Sequence, residues 1–308
     1  MKFPKKLNVG DTVGIIAGSS RVSTERIAEC VKAMEDMGYK VKTADNLDKD
    51  YGGIMAGTGK ERGEWINKMF ADPEVDAIFC IRGGDGSSRT MEYIDTEIVK
   101  NNPKIFVGYS DVTNQHLLFN QKCDLVTFHG PMVSSNIVDG FDDETREGLF
   151  RMINAEEGTV EYKNPEGYEI GVLKEGKASG VLIGGNLSLL SASMATPYEM
   201  DTEDKIVFIE EVCEPEAKIE KWAMHLRNAG KFAKCKGVIL GQFTDITNSR
   251  CPEYDELANF KDILEGLDIP VLYGIESGHG EKMITLPFGA MCHIDTETKT
   301  IKFDVERE

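Results

Sequence analysis

The chain has 308 residues, enough for two ordinary domains that each bury a core. Its 53 Asp and Glu outnumber 35 Lys and Arg, and the formal charge of -18 repels phosphate backbones and anionic membrane surfaces. Neither a nucleic-acid nor a membrane partner is expected, and no apolar run approaches the ~20 residues of a membrane span.

The start, residues 1–8, carries lysines but no apolar stretch of signal-peptide length, so the expected location is cytoplasmic. Seven scattered cysteines without C-x-x-C spacing read as reduced, packed thiols, neither a disulfide framework nor a zinc site. Short apolar runs then alternate with longer amphipathic stretches, the pattern of β-α units that build a parallel sheet. Residues 12–17 predict a strand that ends in Gly18-Ser19-Ser20. Residues 24–37 predict a helix, with Ile27, Val31, Met34 and Met37 on one face and Gly38 as its stop. A strand over 40–43, a helix over 61–70 and a strand over 76–81 follow, the last running into Arg82-Gly83-Gly84-Asp85-Gly86.

Residues 104–109 predict a further strand, 111–121 a helix and 125–128 a closing strand. Between about 134 and 176 the sequence turns polar and acidic, a connection with one short helix over 144–154 and no calcium-loop spacing. The second half restarts with a strand over 180–186 and a small-residue helix over 187–195. Strands over 206–212, 237–241 and 270–273 alternate with helices over 216–229 and 253–265. The tail, 283–305, predicts antiparallel β, as a mixed sheet or a small barrel. The expected organisation is thus α/β: a parallel-sheet domain over 1–135, a connecting segment over 136–175, and a mixed α/β domain over 176–308.

Gly108-Tyr109-Ser110-Asp111-Val112 lies at a strand-to-helix corner, where a serine hydroxyl is exposed on a sharp turn. The following N–H then points at whatever that hydroxyl attacks, a geometry suited to nucleophilic acyl transfer. Serine is also an ordinary helix N-cap, and taken alone capping is the better reading of Ser110. What shifts the balance lies further along the chain. A serine nucleophile needs a base, and the base needs a carboxylate to fix its tautomer. Of the five histidines, His116, His225 and His293 sit in predicted elements as structural residues, and His129 precedes Gly130-Pro131 at a strand end, a position suited to a pocket. His279, flanked by Gly278 and Gly280 in a loop, ranks first as the base, with a solvent-exposed loop histidine as the rival reading.

Glu210 and Glu211 end the apolar run 206–209, where an unpaired charge is costly, and strand alternation lets only one of them face a given side. Two rim charges are the rival reading there. Ser110, Glu210 and His279 give the order Ser, Glu, His found in α/β-hydrolases, although Val112 replaces the second glycine of G-x-S-x-G. The front half would supply the nucleophile and the rear half its base and orienter, which requires a cleft between them. Oxyanion donors are expected from the N–H of Asp111 and from Gly83 or Gly84. The Arg82 loop lacks the third glycine of G-x-G-x-x-G and no G-K-[ST] follows, so phosphate cradling is the weaker reading.

The ordered set Val13-Gly14-Ile15-Ile16-Ala17, Ile81 to Gly86, Gly108 to Thr113, His129-Gly130-Pro131, Leu182 to Leu187, Phe208 to Val212, Gly278-His279-Gly280 and Leu286-Pro287-Phe288-Gly289 resembles the serine LD-carboxypeptidases. These muramoyltetrapeptide carboxypeptidases include the microcin-C-immunity peptidases. The resemblance implies Ser110 as nucleophile, His279 as general base, Glu210 as orienter and an amidotransferase-like front half. It also implies homodimers, a small peptide substrate and no cofactor. Glu-Asp is common in the family where this chain has Glu210-Glu211, and Cys213 and Pro215 also depart from common versions. The leading expectation is release of a terminal D-amino acid from an L,D-linked peptide of the murein tetrapeptide type. For the substrate's free carboxylate, Arg82 or Arg89 supplies a guanidinium, with Tyr109 beside the nucleophile. The alternatives are a microcin-type peptidase acting on a peptidyl or aminoacyl nucleotide, a non-catalytic binding module that kept the cleft, and a phosphate-binding protein using the Arg82 loop.

Overall fold

A computed structural model describes residues 1–249 and 251–307. The front half holds β1 (Thr12–Ile16), α1 (Thr24–Asp36), β2 (Lys40–Thr43), β3 (Asp50–Tyr51), β4 (Met55–Ala56), α2 (Gly59–Ala71), β5 (Ala77–Cys80), α3 (Thr96–Asn101), β6 (Ile105–Gly108), α4 (Thr113–Cys123) and β7 (Thr127–His129). Next come α5 (Val138–Gly140), α6 (Asp143–Ile153), β8 (Gly158–Glu161) and β9 (Gly171–Lys174). The rear half continues with β10 (Lys177–Asn186), α7 (Leu187–Ala192), β11 (Lys205–Val212), α8 (Glu216–Asn228), α9 (Lys231–Lys234), β12 (Gly237–Thr244), α10 (Glu256–Ile263) and β13 (Val271–Tyr273). The tail forms β14 (Leu286–Phe288), β15 (Met291–Asp295) and β16 (Thr300–Val305).

Local chemistry sets most of these boundaries. Thr58 and Glu61 form a reciprocal capping box, which starts α2 two residues before the expected position because the cap, not the first apolar residue, fixes the helix start. Asp142 accepts from the amides of Glu144 and Thr145 and so opens α6. Such caps contribute about 1 kcal/mol each.

Among the described residues the long strands form two sheets. The first runs β14-β7-β6-β5-β1-β2, with β2, β1, β5, β6 and β7 parallel and β14 antiparallel on its edge. The second, β8-β16-β15-β10-β11-β12-β13-β9, is parallel through β10 to β13 and antiparallel towards both ends. Of the two forms expected for the tail, the mixed sheet is the one observed. Three features differ from the sequence reading. The polar connection contains β8 and β9, which pair at opposite edges of the second sheet; short, half-exposed edge strands leave little apolar alternation to detect. The small-residue helix stops at Ala192. Lastly, β14 leaves the tail and adds to the first sheet, with Leu286 opposite His129.

That exchange ties the halves together. One buried cluster runs from Val13, Ile78 and Phe106 through Phe288 to Phe208, Ile239 and Leu272, so apolar side chains of both sheets share a core. Loops at the carboxyl ends of β1, β5, β6, β10 and β11 therefore converge beside that core, where open α/β sheets place ligands.

Candidate active site

Ser110 follows β6, every residue of which is buried, and adopts φ 65°. A non-glycine residue in this left-handed region costs about 1–3 kcal/mol and persists where its surroundings dictate it. Those surroundings are visible. A Cβ on Gly108 would lie 3.0 Å from Val112 Cγ1 and 3.1 Å from Cys80 Cβ, so the turn is too tight for a larger residue to relax it. From behind, His116 Nε2 meets the Gly108 carbonyl at 2.8 Å, and Thr113 Oγ1 donates to the Ser110 carbonyl at 2.7 Å. Thr113 Oγ1 also accepts from the Asn186 N–H at 3.0 Å, which couples this corner to the end of β10. Helix α4 begins at Thr113 with no side-chain cap, so Ser110 is not serving as its N-cap.

His279 Nδ1 lies 2.6 Å from Glu210 Oε2, and Glu210 is wholly buried at the end of β11. The imidazole is held in a narrow slot. A Cβ on Gly278 would sit 3.2 Å from Glu210 Oε2, and the Gly280 N–H donates to Gln242 Oε1 at 2.7 Å. Gln242 in turn donates to Glu276 Oε2 at 2.7 Å and to the Lys282 carbonyl at 2.9 Å, clamping both ends of the loop. Burial disfavours the imidazolium, but the charge and hydrogen bond of Glu210 outweigh it, and the pKa of His279 is raised above its ordinary 6.5. The Tyr109 ring packs 4.8 Å from the His279 ring at 65°, which sets the imidazole beside the residue that precedes Ser110. Ser110 Oγ and His279 are not joined by a direct hydrogen bond in this structure, and catalytic hydrogen bonds commonly tighten only when substrate is bound.

Glu211 points elsewhere. Its carboxylate accepts from Asn186 Nδ2 at 2.7 Å and from the Ser188 N–H at 2.8 Å, so it fixes the start of α7. Burial raises its pKa despite those bonds. Alternation thus separates the adjacent glutamates into one that meets the imidazole and one that supports the backbone.

The glycines of the Arg82 loop also divide. A Cβ on Gly83 would stand 2.9 Å from Ser110 Cβ and 3.1 Å from its Oγ, whereas one on Gly84 (φ 110°) would collide with Ser20 Oγ. Gly83 is the loop residue in contact with the serine side chain. If Ser110 is the attacking group, Gly83→Ala is expected to lower turnover by about 100-fold or more with the fold retained, because the new methyl must displace the Ser110 hydroxyl; the check is steady-state kinetics beside a thermal melt. Arg82 and Arg89 are exposed, and no carboxylate among the described residues pairs with either. Tyr109 is buried to 6% exposure between the rings of His279 and His129, so it packs the site wall.

The other histidines take structural places. His116 bridges Gly108 and Thr127, and burial holds its pKa down at about 4. His129 is fully buried among Tyr109, Phe208 and Phe288, and burial pushes its pKa well below the ordinary value, so it is neutral. His225 meets Ser191 Oγ at 2.9 Å. His293 links Ser179 Oγ at 2.7 Å to Asp304 Oδ2 at 2.9 Å across three strands, a chain on an open sheet face that bulk water screens. Among the described residues, no cluster of three or more His, Cys, Asp or Glu is arranged to hold a metal ion, and no helix is long and apolar enough to cross a membrane. Asn186 and Ser20 lie in stretches that the sequence reading names without giving them a role, and Gln242 supports the site with no motif that marks it.

Comparison with known proteins adds independent findings. Residues 13–130 match the LD-carboxypeptidase N-terminal domain and residues 179–294 the LD-carboxypeptidase C-terminal domain. The chain is 36% identical over 305 residues to the "Probable murein peptide carboxypeptidase" of Bacillus subtilis, covering 96% of this chain and 92% of that protein. It is 28% identical over 326 residues to the microcin C7 self-immunity protein MccF of Escherichia coli, covering 96% of this chain and 93% of that one. Among solved structures, MccF in complex with glutamyl sulfamoyl guanosine superposes with a TM-score of 0.92 at 25% identity over 99% of both chains. Muramoyltetrapeptide carboxypeptidase from Oxalobacter formigenes gives 0.84 at 26% identity, over 96% of this chain and 99% of that one.

Proposed function

This chain belongs to the LD-carboxypeptidase family, and from that premise we propose that it is a serine peptidase releasing a terminal D-amino acid from an L,D-linked peptide of the murein tetrapeptide type. The observation that carries the proposal is the 2.6 Å contact between His279 and the buried Glu210, set beside a serine held at φ 65° on a strand-to-helix turn. In this reading Ser110 Oγ attacks the penultimate carbonyl while His279 takes its proton. The oxyanion draws on the N–H of Asp111 and of Gly83 or Gly84, and His279 returns the proton to the leaving D-amino acid. Water, deprotonated by the same imidazole, then hydrolyses the ester on Ser110. Glu210 fixes the tautomer and stabilises the imidazolium. Arg82, exposed and unpaired among the described residues beside Gly83, is the guanidinium suited to the substrate's terminal carboxylate, with the exposed Arg89 as the other candidate.

The test is incubation of the purified protein with murein tetrapeptide. Free D-alanine is the expected product, and an intact tetrapeptide would remove the substrate assignment. A second reading, cleavage of a peptidyl or aminoacyl nucleotide, is favoured by the MccF complexes with glutamyl sulfamoyl guanosine and aspartyl sulfamoyl adenosine. Stacking on a base needs an open aromatic face. Of the two tyrosines in the connecting segment, Tyr162 is 2% exposed and Tyr168 is 40% exposed, which leaves Tyr168 as the open one. Release of a sulfamoyl nucleoside in preference to D-alanine would establish that reading instead.

A further inference from the structure

Arg62 of α2 is wholly buried, the largest fully buried side chain among the described residues, and no carboxylate lies within ion-pair distance of it there. A guanidinium cannot shed its charge at any ordinary pH, so its place in the interior has to be accounted for by what it touches. Its Nη1 donates to the Gly57 carbonyl at 2.5 Å and its Nη2 to the Gly86 carbonyl at 2.8 Å. On the far side of the same loop, the Asp111 carboxylate accepts from the Ser87 N–H at 2.8 Å through Oδ2 and from Ser87 Oγ at 2.8 Å through Oδ1. Asn114 Nδ2 adds a bond to Ser87 Oγ at 2.7 Å.

The Gly86 carbonyl and the Ser87 N–H belong to one peptide unit. A buried cation holds its negative end and a buried anion its positive end, so the peptide dipole lies between two opposite charges that it aligns with. Charge-assisted bonds of this kind are about twice as strong as neutral ones, and they fix the plane of the peptide as well as its position. Gly86 is correspondingly held at φ 101°, with room for no Cβ between Met55 Sδ and Arg62 Nη2. Asp111 follows Ser110 directly, so its side chain also sets the distance between the serine turn and the loop that carries Gly83 and Gly84.

We propose that Arg62 and Asp111 form a buried positioning pair that clamps the Gly86–Ser87 peptide and thereby holds the Gly83–Gly84 amides against the reacting carbonyl of the substrate. The proposal rests on the reading of Ser110 as nucleophile. Neither side chain touches substrate; their effect passes through the loop. Because the loop acts on the charge that develops in the transition state, loosening it lowers kcat and leaves KM close to its starting value.

The experiment compares the full chain with Arg62→Met, Arg62→Lys, Asp111→Asn and the double variant Arg62→Met with Asp111→Asn. Arg62→Met is expected to lose about 10- to 100-fold in kcat with KM within about twofold, and Arg62→Lys to recover part of that loss. The double variant should lose less than the product of the single losses, since both residues hold one peptide. Unchanged kcat in a folded Arg62→Met protein, or strictly multiplicative losses, would overturn the pair. Native-state hydrogen exchange supplies a reading that needs neither activity nor the harsher variant. In Arg62→Lys the Ser87 amide should exchange at least about tenfold faster while amides of β6 keep their protection. Equal protection of Ser87 in both proteins would also overturn the proposal. Absence of Ser110 acylation in the unmodified chain would instead remove the nucleophile reading, and the exchange result would still decide the clamp.

Discussion

Ser110→Ala is expected to lower peptide hydrolysis by about 10⁴-fold or more and to abolish covalent labelling by a fluorophosphonate. The size follows from the division of labour in an acyl-enzyme mechanism. Without the hydroxyl no ester forms, and what remains is whatever the oxyanion donors and substrate binding achieve with water as the attacking group, a residue of about 10³–10⁴ over the uncatalysed rate. The fold should survive. Ser110 contributes no cap to α4, and the hydrogen bonds that secure the turn come from Thr113, His116 and Asn186, not from the serine side chain. Alanine must still occupy φ 65°, so a small loss of stability is expected, within the strain that serine already bears. A mass shift of one fluorophosphonate adduct on the original chain and none on Ser110→Ala is the measurement. Labelling that persists in the variant would show that another nucleophile does the work, with Ser179 beside His293 the first place to look.

How far the sequence revealed this site depends on which forces act locally. The serine turn was legible because a buried strand, a glycine and a helix start are neighbours in the chain, each with a short-range signature. The loop histidine was legible because glycines on both sides announce close approach, which the contact of Gly278 with Glu210 bears out. The choice of Glu210 over Glu211 came from the family resemblance, because the local pattern says only that one of the two could face the site. It is decided by the register of β10 on β11, which sets Asn186 opposite Glu210 and leaves its side chain free to engage Glu211. Likewise, nothing in Arg62 or Gln242 distinguishes them from surface residues of their elements. Both acquire their roles from loops distant in sequence, Gly86 for the first and Gly280 for the second. The return of β14 to the first sheet escaped for the same reason, since three residues carry too little pattern to say which sheet they join.

The two glutamates provide the second large effect. Glu210→Gln is expected to lower kcat by about 10²- to 10⁴-fold, because an amide can still bond the imidazole but neither fixes the productive tautomer nor stabilises the imidazolium. The pH profile should move with it. In the proposed mechanism His279 is the base and must be neutral, so in the unmodified chain kcat/KM is expected to rise as pH climbs through the pKa of His279, which Glu210 holds above 6.5. With glutamine in place, burial, which lowers that pKa, loses its main opponent, and the midpoint should fall. Stability obeys the same linkage. A histidine whose folded pKa is raised contributes stability that is fully present below its unfolded value and is lost as pH rises through the folded one. The stability gap between the unmodified chain and Glu210→Gln should therefore narrow as pH rises through that range, which melting curves across pH would record. Glu211→Gln serves as the contrast, since its carboxylate meets Asn186 and the Ser188 amide. It should weaken the α7 start while leaving the midpoint of the rate profile nearly in place. Equal displacement of that midpoint by both substitutions would mean that the imidazole senses the summed charge of the strand end, and the specific role given to Glu210 would fail.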